Sequence, residues 1–401
     1  MPTTTDPHVL PGLEFKAYCE DRDFRAQGKP EPNSRSQTVI YRLHDKKWWI
    51  KITLEGAIPC SSCDVRPGQI KSKRERRNEL QEFVTKIDFQ SLALLNDTVT
   101  EIVLKGETKN LDSANLCLEP ELIDQPTWLI GNMRYHIRED PLRVKYPSSV
   151  QFPSFRAVEI SELIQEAEIT NGVFRVFHKG DRTPYILKVV NRPFYHPRDT
   201  DVLQQELENL ELFRGASGIV QAAGIAVFTN PYATCQEGSQ QMVINGILLD
   251  FYCGGSLQQV LKEQCFNDIS SESWAIQIGN ALDTIHRVKK THMDLKPSNI
   301  VLDKDGNAII IDISGIGGVT HEWQAPEIRD EISPFDLPFQ TRQLNDIWAY
   351  GKVLQEIASK VKDCSFRKTL SMVADHLTED VTTRWTLSEA ISQLRIRHHS
   401  D

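Results

Sequence analysis

His292-Met293-Asp294-Leu295-Lys296-Pro297-Ser298-Asn299, followed at 300–314 by IVLDKDGNAIIIDIS, is the stretch on which the reading of this chain turns. Two short apolar runs, IVL and AIII, flank the turn-forming DKDG, a pattern that predicts a β-hairpin. Such a hairpin carries Asp312 back towards Asn299. Asp294, Lys296, Asn299 and Asp312 are then the residue types that phosphoryl transfer requires, since that chemistry asks a protein for positioning and charge neutralisation more than for covalent work. One carboxylate accepts or orients a hydroxyl, one cation meets the moving group, and oxygen ligands hold Mg²⁺.

Working outward, strand-like runs precede this stretch: VFRVF at 173–177, YILKVV at 185–190 and GILLDFY at 246–252, with a helix predicted over 201–213. Helical patterns follow it at 271–288, 342–360, 366–376 and 387–396. Within 342–360, Ile347, Tyr350, Leu354 and Ile357 recur at helix-face spacing. A strand-rich front and a helix-rich back predict two lobes, an α+β arrangement.

HMDLKPSN at 292–299 is similar to the catalytic-loop signature of protein kinases, and Asp312-Ile313-Ser314 stands where that family has D-F-G. The resemblance implies a bilobal protein-kinase-like fold that binds ATP and Mg²⁺. It implies Asp294 as catalytic base, Lys296 as a phosphate-contacting lysine, and Asn299 and Asp312 as metal ligands. Lys188 resembles the strand lysine that grips the α/β-phosphates. Glu206 resembles its helix partner. Glu208 is the rival, and Glu206 is preferred because Leu210 and Phe213 then fall at +4 and +7. LLDFYCGGSL resembles the hinge, with the backbone of Asp250, Phe251 and Tyr252 meeting adenine and Leu249 at the back of the pocket. Ala325-Pro326-Glu327 resembles A-P-E, with Arg384 as the family's ion-pair partner for Glu327. Asp346 resembles the aspartate that braces the catalytic loop. Thr320 sits where Ser/Thr kinases place a threonine against the catalytic aspartate; an ordinary loop threonine is the alternative.

Departures from the family pattern are as informative. Counting back from Lys188, the three glycine-loop positions hold Glu166, Glu168 and Asn171. Glycine there permits close backbone approach to phosphate. A carboxylate about 4 Å from a phosphate charge would cost on the order of 4 kcal/mol at an effective dielectric near 20. Met293 replaces the arginine that meets a phosphorylated activation segment, and the segment from Asp312 to Glu327 is short. Both predict activity without activation-segment phosphorylation. Ser314 replaces the D-F-G glycine. The stretch from Asp346 to Arg384 is trimmed, leaving room for a small-molecule hydroxyl acceptor as well as a protein.

The rest of the 401 residues is less telling. Residues 1–35 read as a loose tail, 36–150 as a mixed α/β module of unassigned function, 155–252 as the front lobe and 253–401 as the helical lobe. In the module, TVIYRL and WWIKITL flank HDKK as a hairpin. Pro141, Pro147 and Pro153 mark 138–153 as a connection. Cys60-Ser-Ser-Cys63 lacks a second pair nearby for zinc. Lys71, Lys73, Arg74, Arg76 and Arg77 form a basic run read as a solvated face, with nucleic-acid binding as the alternative. The formal net charge of −9 argues against a generally basic coat. There is no signal-like start and no apolar run of membrane-crossing length, and eight scattered cysteines fit a cytoplasmic or nuclear compartment. Three functions remain open at this level: a Ser/Thr protein kinase, a pseudokinase scaffold, and a kinase-fold enzyme with a non-protein acceptor.

Overall fold

The computed structural model describes residues 12–56 apart from positions 22, 25 and 30, then 71–106, 133–235 apart from 181 and 193, 241–264 and 268–396. Cys60 and Cys63 lie outside the described residues. The chain divides into two compact units, one running to Arg143 and including Thr229–Met242, the other comprising Val144–Phe228 and Val243 onward.

In the first unit, β1 (Leu13–Glu20), β2 (Ser34–Leu43), β3 (Lys46–Glu55), β4 (Val99–Gly106) and β5 (Met133–Glu139) form one five-stranded sheet in sequence order. The predicted hairpin is present, with Leu43 paired to Lys46 across a His44-Asp45 turn. Strands β3 and β4 are parallel, joined through α1 (Lys73–Val84). The helix starts at a capping box in which Ser72 Oγ accepts from Glu75 N and the Glu75 carboxylate accepts from Ser72 N. Leu80, Phe83 and Val84 of α1 are buried on Val39, Ile50, Ile52 and Ile102. Such side chains contribute about 1.5–3 kcal/mol each on full burial.

Two expectations change here. Residues 13–20, assigned to the loose tail, are a strand because Leu13 enters the core and Glu20 finds a buried partner. That partner is Arg76, whose guanidinium is fully buried with nitrogens 2.7 and 3.0 Å from the Glu20 carboxylate. Lys71 is likewise tied to Glu79 at 2.8 Å. The basic run is therefore not a continuous solvated face; Lys73, Arg74 and Arg77 remain exposed.

The second unit carries a six-stranded sheet in the order β6-β10-β11-β9-β8-β7, from β6 (Ala157–Glu159), β7 (Leu163–Thr170), β8 (Val173–His178), β9 (Pro184–Val189), β10 (Ala222–Thr229) and β11 (Met242–Asp250). The helix α2 (Arg198–Leu212) belongs with this sheet. Behind it lie α3 (Leu257–Glu263), α4 (Asp268–Arg287), the hairpin of β12 (Ile300–Leu302) and β13 (Ala308–Ile310), then α5 (Phe339–Ala358), α6 (Cys364–Thr378) and α7 (Leu387–Ile396). Trp274, Ile278, Leu282, Tyr350, Leu354, Leu370 and Leu394 fill the helical core. The strand-rich lobe and helical lobe make the α+β kinase-like fold. From Val144 the chain packs with this unit, whereas the sequence places 138–153 in a connection. Residues 229–242, between β10 and β11, pack with the first unit: Thr234 N donates to Asp97 Oδ1 and Asp97 N to Thr234 Oγ1.

Candidate active site

The sheet of the second unit delivers Lys188 on β9, and α2 delivers Glu206. Lys188 Nζ lies 2.5 Å from Glu206 Oε2 and 2.8 Å from Asp312 Oδ1. The predicted hairpin is formed, Ile300 pairing with Ile310, and it returns Asp312 beside the loop that carries Asp294 and Asn299. Glu206, not Glu208, is the partner: Glu206 is buried and Glu208 is exposed. Burial disfavours the Lys188 ammonium, but the Asp312 and Glu206 carboxylates outweigh it and hold its pKa above the ordinary lysine value. The field of Lys188 holds Asp312 below the usual carboxylate range. Burial pushes Glu206 upward, against the pull of Lys188.

Lys296 Nζ donates to Asp294 Oδ2 at 2.7 Å and to Thr320 Oγ1 at 2.6 Å. Thr320 is thus part of the site. Asn299 turns its amide nitrogen to Asp294, 2.8 Å from the backbone oxygen and 3.0 Å from Oδ2, which frees its side-chain carbonyl to meet a cation. The other Asp294 oxygen, Oδ1, is buried without a hydrogen-bond partner. An unpaired buried acceptor is costly, and a hydroxyl delivered to it would relieve that cost.

The loop beneath is held by buried hydrogen bonds. Asp346, fully buried, accepts from His292 N and Met293 N at 2.7 Å each and meets His286 Nε2 at 3.0 Å. Met293 has φ 68°, a left-handed conformation that a side chain of its size rarely adopts. His292 accepts from Asp294 N through Nδ1, so its other nitrogen, Nε2, carries the proton donated to Ile311 O. Glu327 and Arg384 form a two-pronged ion pair.

A cavity of about 300 Å³ lies among Asn171, Gly172, Lys188, Glu206, Asp294 and Asp312. Its roof is the β7–β8 hairpin that stands in for the glycine loop. That hairpin closes on a two-residue Asn171-Gly172 turn, with Thr170 paired to Val173. Gly172 sits at φ +75°, and a Cβ there would lie 2.8 Å from Arg192 Cβ. The one glycine the turn demands is therefore a residue later than the family's third. The register slips between Gln165 and Ala167, leaving Glu166 as a bulge. Its carboxylate lies 2.9 Å from Arg175 Nε, and the Arg175 guanidinium covers the Phe251 ring at 4.5 Å. Glu166 thus has a cation beside it.

At the hinge, Leu249 is buried, Asp250 N donates to Gln221 O at 3.0 Å, and Tyr252 Oη accepts from Gln221 N at 3.2 Å. Burial raises the Asp250 carboxyl pKa. Sequence reasoning missed Asn209. It is buried one helical turn beyond Glu206 and donates to Ile313 O at 2.6 Å, so α2 holds both Lys188 and the segment after Asp312. Arg175 was missed as well. Asn209 falls at +3 from Glu206, a spacing that shares a helix face.

A strand-rich lobe carrying the Lys188–Glu206 pair, with a helical lobe carrying Asp294 and, behind a short hairpin, Asp312, is the arrangement of a phosphotransferase catalytic domain. Residues 170–395 match the protein kinase domain model, and the chain belongs to the protein kinase family, its catalytic domain lying C-terminal to a separate N-terminal region. It is similar to serine/threonine-protein kinase Sgk1 of Danio rerio, 28% identical over 160 residues that cover 37% of this chain and 35% of the relative. It is also similar to Sgk1-B of Xenopus laevis, at 27% with the same coverage, and to Sgk1 of Mus musculus, at 26% over 37% of this chain and 36% of the relative. The chain thus spans about a third of the length of these curated relatives.

Proposed function

We propose that the chain is an ATP- and Mg²⁺-dependent kinase that phosphorylates serine or threonine hydroxyls of proteins and acts without phosphorylation of its activation segment. The observation that carries this is the simultaneous bonding of Lys188 to Glu206 and Asp312, while Asp294 Oδ1 stays a buried, unpartnered acceptor. The donor set suits Mg-ATP. Lys188 engages one oxygen of Asp312, leaving the other for a cation, and the Asn299 carbonyl is a second hard oxygen ligand. When bound, the metal-nucleotide complex supplies the phosphoryl group and neutralises charge as it moves.

The remaining work falls to side chains. Asp294 Oδ1 accepts the proton of the incoming hydroxyl. Lys296, held by Asp294 and Thr320, places a positive charge beside that carboxylate. Lys188 orients the nucleotide's phosphates, and Leu249, Asp250, Phe251 and Tyr252 form the purine end. Met293 supports the regulatory half of the reading. It is buried, with Asn345 Nδ2 at 4.0 Å from its sulfur, and offers no cation to a phosphorylated segment. The names of the similar proteins support the Ser/Thr acceptor.

The deciding experiment titrates ATP with Mg²⁺ against the melting temperature of the full chain, then follows labelled phosphate into protein and small-molecule acceptors. Wild type is expected to be stabilised and to label a protein acceptor, with both effects lost in Asp312→Ala. Stabilisation without transfer would point to a scaffold, and transfer only to a small molecule would redirect the acceptor. No stabilisation by ATP would remove the nucleotide reading.

A further inference from the structure

The segment before the family match, residues 145–156, does not behave as a linker. At its start, Tyr195 Oη accepts from Lys145 N at 3.1 Å and lies 2.8 Å from Thr200 Oγ1, which lies 2.7 Å from Lys145 O. The Thr200 hydroxyl has one proton, and Lys145 O can only accept, so Thr200 donates to it and Tyr195 donates to Thr200. This closed ring of bonds fastens the segment to the first turn of α2, where Thr200 is buried. At the other end of the helix, Ser154 Oγ donates to Glu211, and Arg214 Nη2 donates to Ser154 O at 3.1 Å and to its hydroxyl at 3.0 Å. The same guanidinium covers the Phe155 ring at 5.2 Å.

The segment is also fixed to the sheet. Ile244 N donates to Pro147 O at 2.8 Å, and Ile225 N donates to Arg156 O at 2.9 Å. Gly224 permits the second contact, since a Cβ there would lie 2.4 Å from Arg156 O. The chain therefore runs the length of α2, pinned at both ends of the helix and to the sheet between. Pro197, before the helix, gives no side-chain cap, so the Thr200 contact anchors a turn without one.

We propose that residues 145–156 are an intramolecular strap that fixes α2, and that Thr200, Tyr195 and Ser154 are positioning residues for the Lys188–Glu206 pair. The inference rests on the kinase reading and deepens its regulatory half. The helix that carries Glu206 and Asn209 is held by an unmodified part of the same chain, and no phosphate is needed to place it.

The test compares Thr200→Val, Thr200→Ser and Ser154→Ala in the full chain by steady-state kinetics in ATP and by nucleotide-free hydrogen exchange over 198–212. Thr200→Val is expected to raise the ATP KM and lower kcat together, with kcat/KM falling about tenfold, as loss of a buried hydrogen bond can do. Amide exchange should quicken in α2 and not elsewhere. Thr200→Ser keeps the hydroxyl and should match wild type in both measurements. Ser154→Ala, at an exposed position, should reproduce the local exchange change even if Thr200→Val fails to fold. Unchanged exchange in α2, or faster exchange throughout with the KM unmoved, would overturn the strap. If the wild type neither binds nor turns over ATP, the kinase reading fails, and the exchange result alone decides the strap.

Discussion

Asp346→Asn changes one atom of a side chain that no solvent reaches, and the bonds around it set the size of the effect. Oδ2 serves His292 N and His286 Nε2, and Oδ1 serves Met293 N. An asparagine has one acceptor oxygen. Placed at the Oδ2 position it keeps two donors and turns its NH₂ towards Met293 N, where two donors face each other at 2.7 Å. The reverse orientation sets the NH₂ against His292 N and keeps His286 only as the tautomer whose buried, unpartnered Nδ1 carries the proton, so the amide settles on the first. The cost is one hydrogen bond to a charged acceptor plus a buried N–H without a partner, together about 3 kcal/mol. For a unit of this size that lowers the melting temperature by about 6–12 °C.

The catalytic effect should be larger than the stability effect alone implies. Met293 holds its left-handed φ of 68° while its N–H is anchored, and that conformation costs about 1–2 kcal/mol for a non-glycine residue. Without the anchor Met293 relaxes and carries the adjacent Asp294 with it. A shift of about 1 Å at a reacting group costs on the order of 100-fold in kcat/KM. The assay is differential scanning fluorimetry beside steady-state kinetics, both on the full chain. A melting temperature within about 1 °C of wild type would refute the bond accounting, because an unmatched buried donor cannot be that cheap. A lower melting temperature with unchanged kcat/KM would refute the link from Met293 to Asp294.

Two further predictions concern the first unit. Asp97→Ala removes the acceptor of the buried Thr234 N–H and puts alanine at φ 58°, so the unit should lose about 2 kcal/mol in urea unfolding followed by Trp48 and Trp49 fluorescence. Glu20 is held below the usual carboxylate range, mainly by its hydrogen bonds to Arg76, against the opposing effect of burial. Its folded pKa is the depressed one. The stabilisation is therefore complete above the ordinary glutamate value of about 4.3 and is lost as pH falls from there through the depressed value. Calorimetry from pH 7 downward should show that loss in wild type and a flatter profile in Glu20→Gln; parallel profiles would disprove it.

Much of the site was legible because it is local or paired by simple pattern. The IVL and AII strands around DKDG force Asp312 back to Asn299, and the phase of α2 picks Glu206 over Glu208. The basic run failed for a reason that the same phase argument contains. Arg76, Leu80 and Phe83 fall at +0, +4 and +7 on one face of α1, so the arginine points with the core, and Glu20 from a distant strand neutralises it. The strap was hidden because prolines at 147 and 153 read as punctuation, while its bonds go to residues some fifty positions away, such as Tyr195 and Thr200. Leu13–Glu20 was hidden likewise, since its pairing with β2 is a tertiary fact, although Leu13, Phe15 and Ala17 alternate with Glu14 and Lys16 as a half-buried strand does.

The departures from the family pattern fit a single physical account once the contacts are known. A glycine loop lets backbone approach phosphate, and a phosphorylated segment holds a mobile catalytic loop and helix in place. Here the loop is a tight hairpin whose bulged Glu166 is neutralised by Arg175 on the hinge ring. The positions that phosphate would otherwise steady are each held by neutral or internal contacts. Asp346 holds Met293, Asn209 holds Ile313, and Thr320 holds Lys296. These contacts are present in the unmodified chain, which supports the proposed activity without phosphorylation of the activation segment. A site held in this way would trade adjustability for order. Its activity should follow the folded fraction and the hold on α2, so substitutions at Thr200 or Asp346 should lower it. The two hydroxyls between 314 and 327 are no free modification sites, Ser314 being buried and Thr320 bound to Lys296.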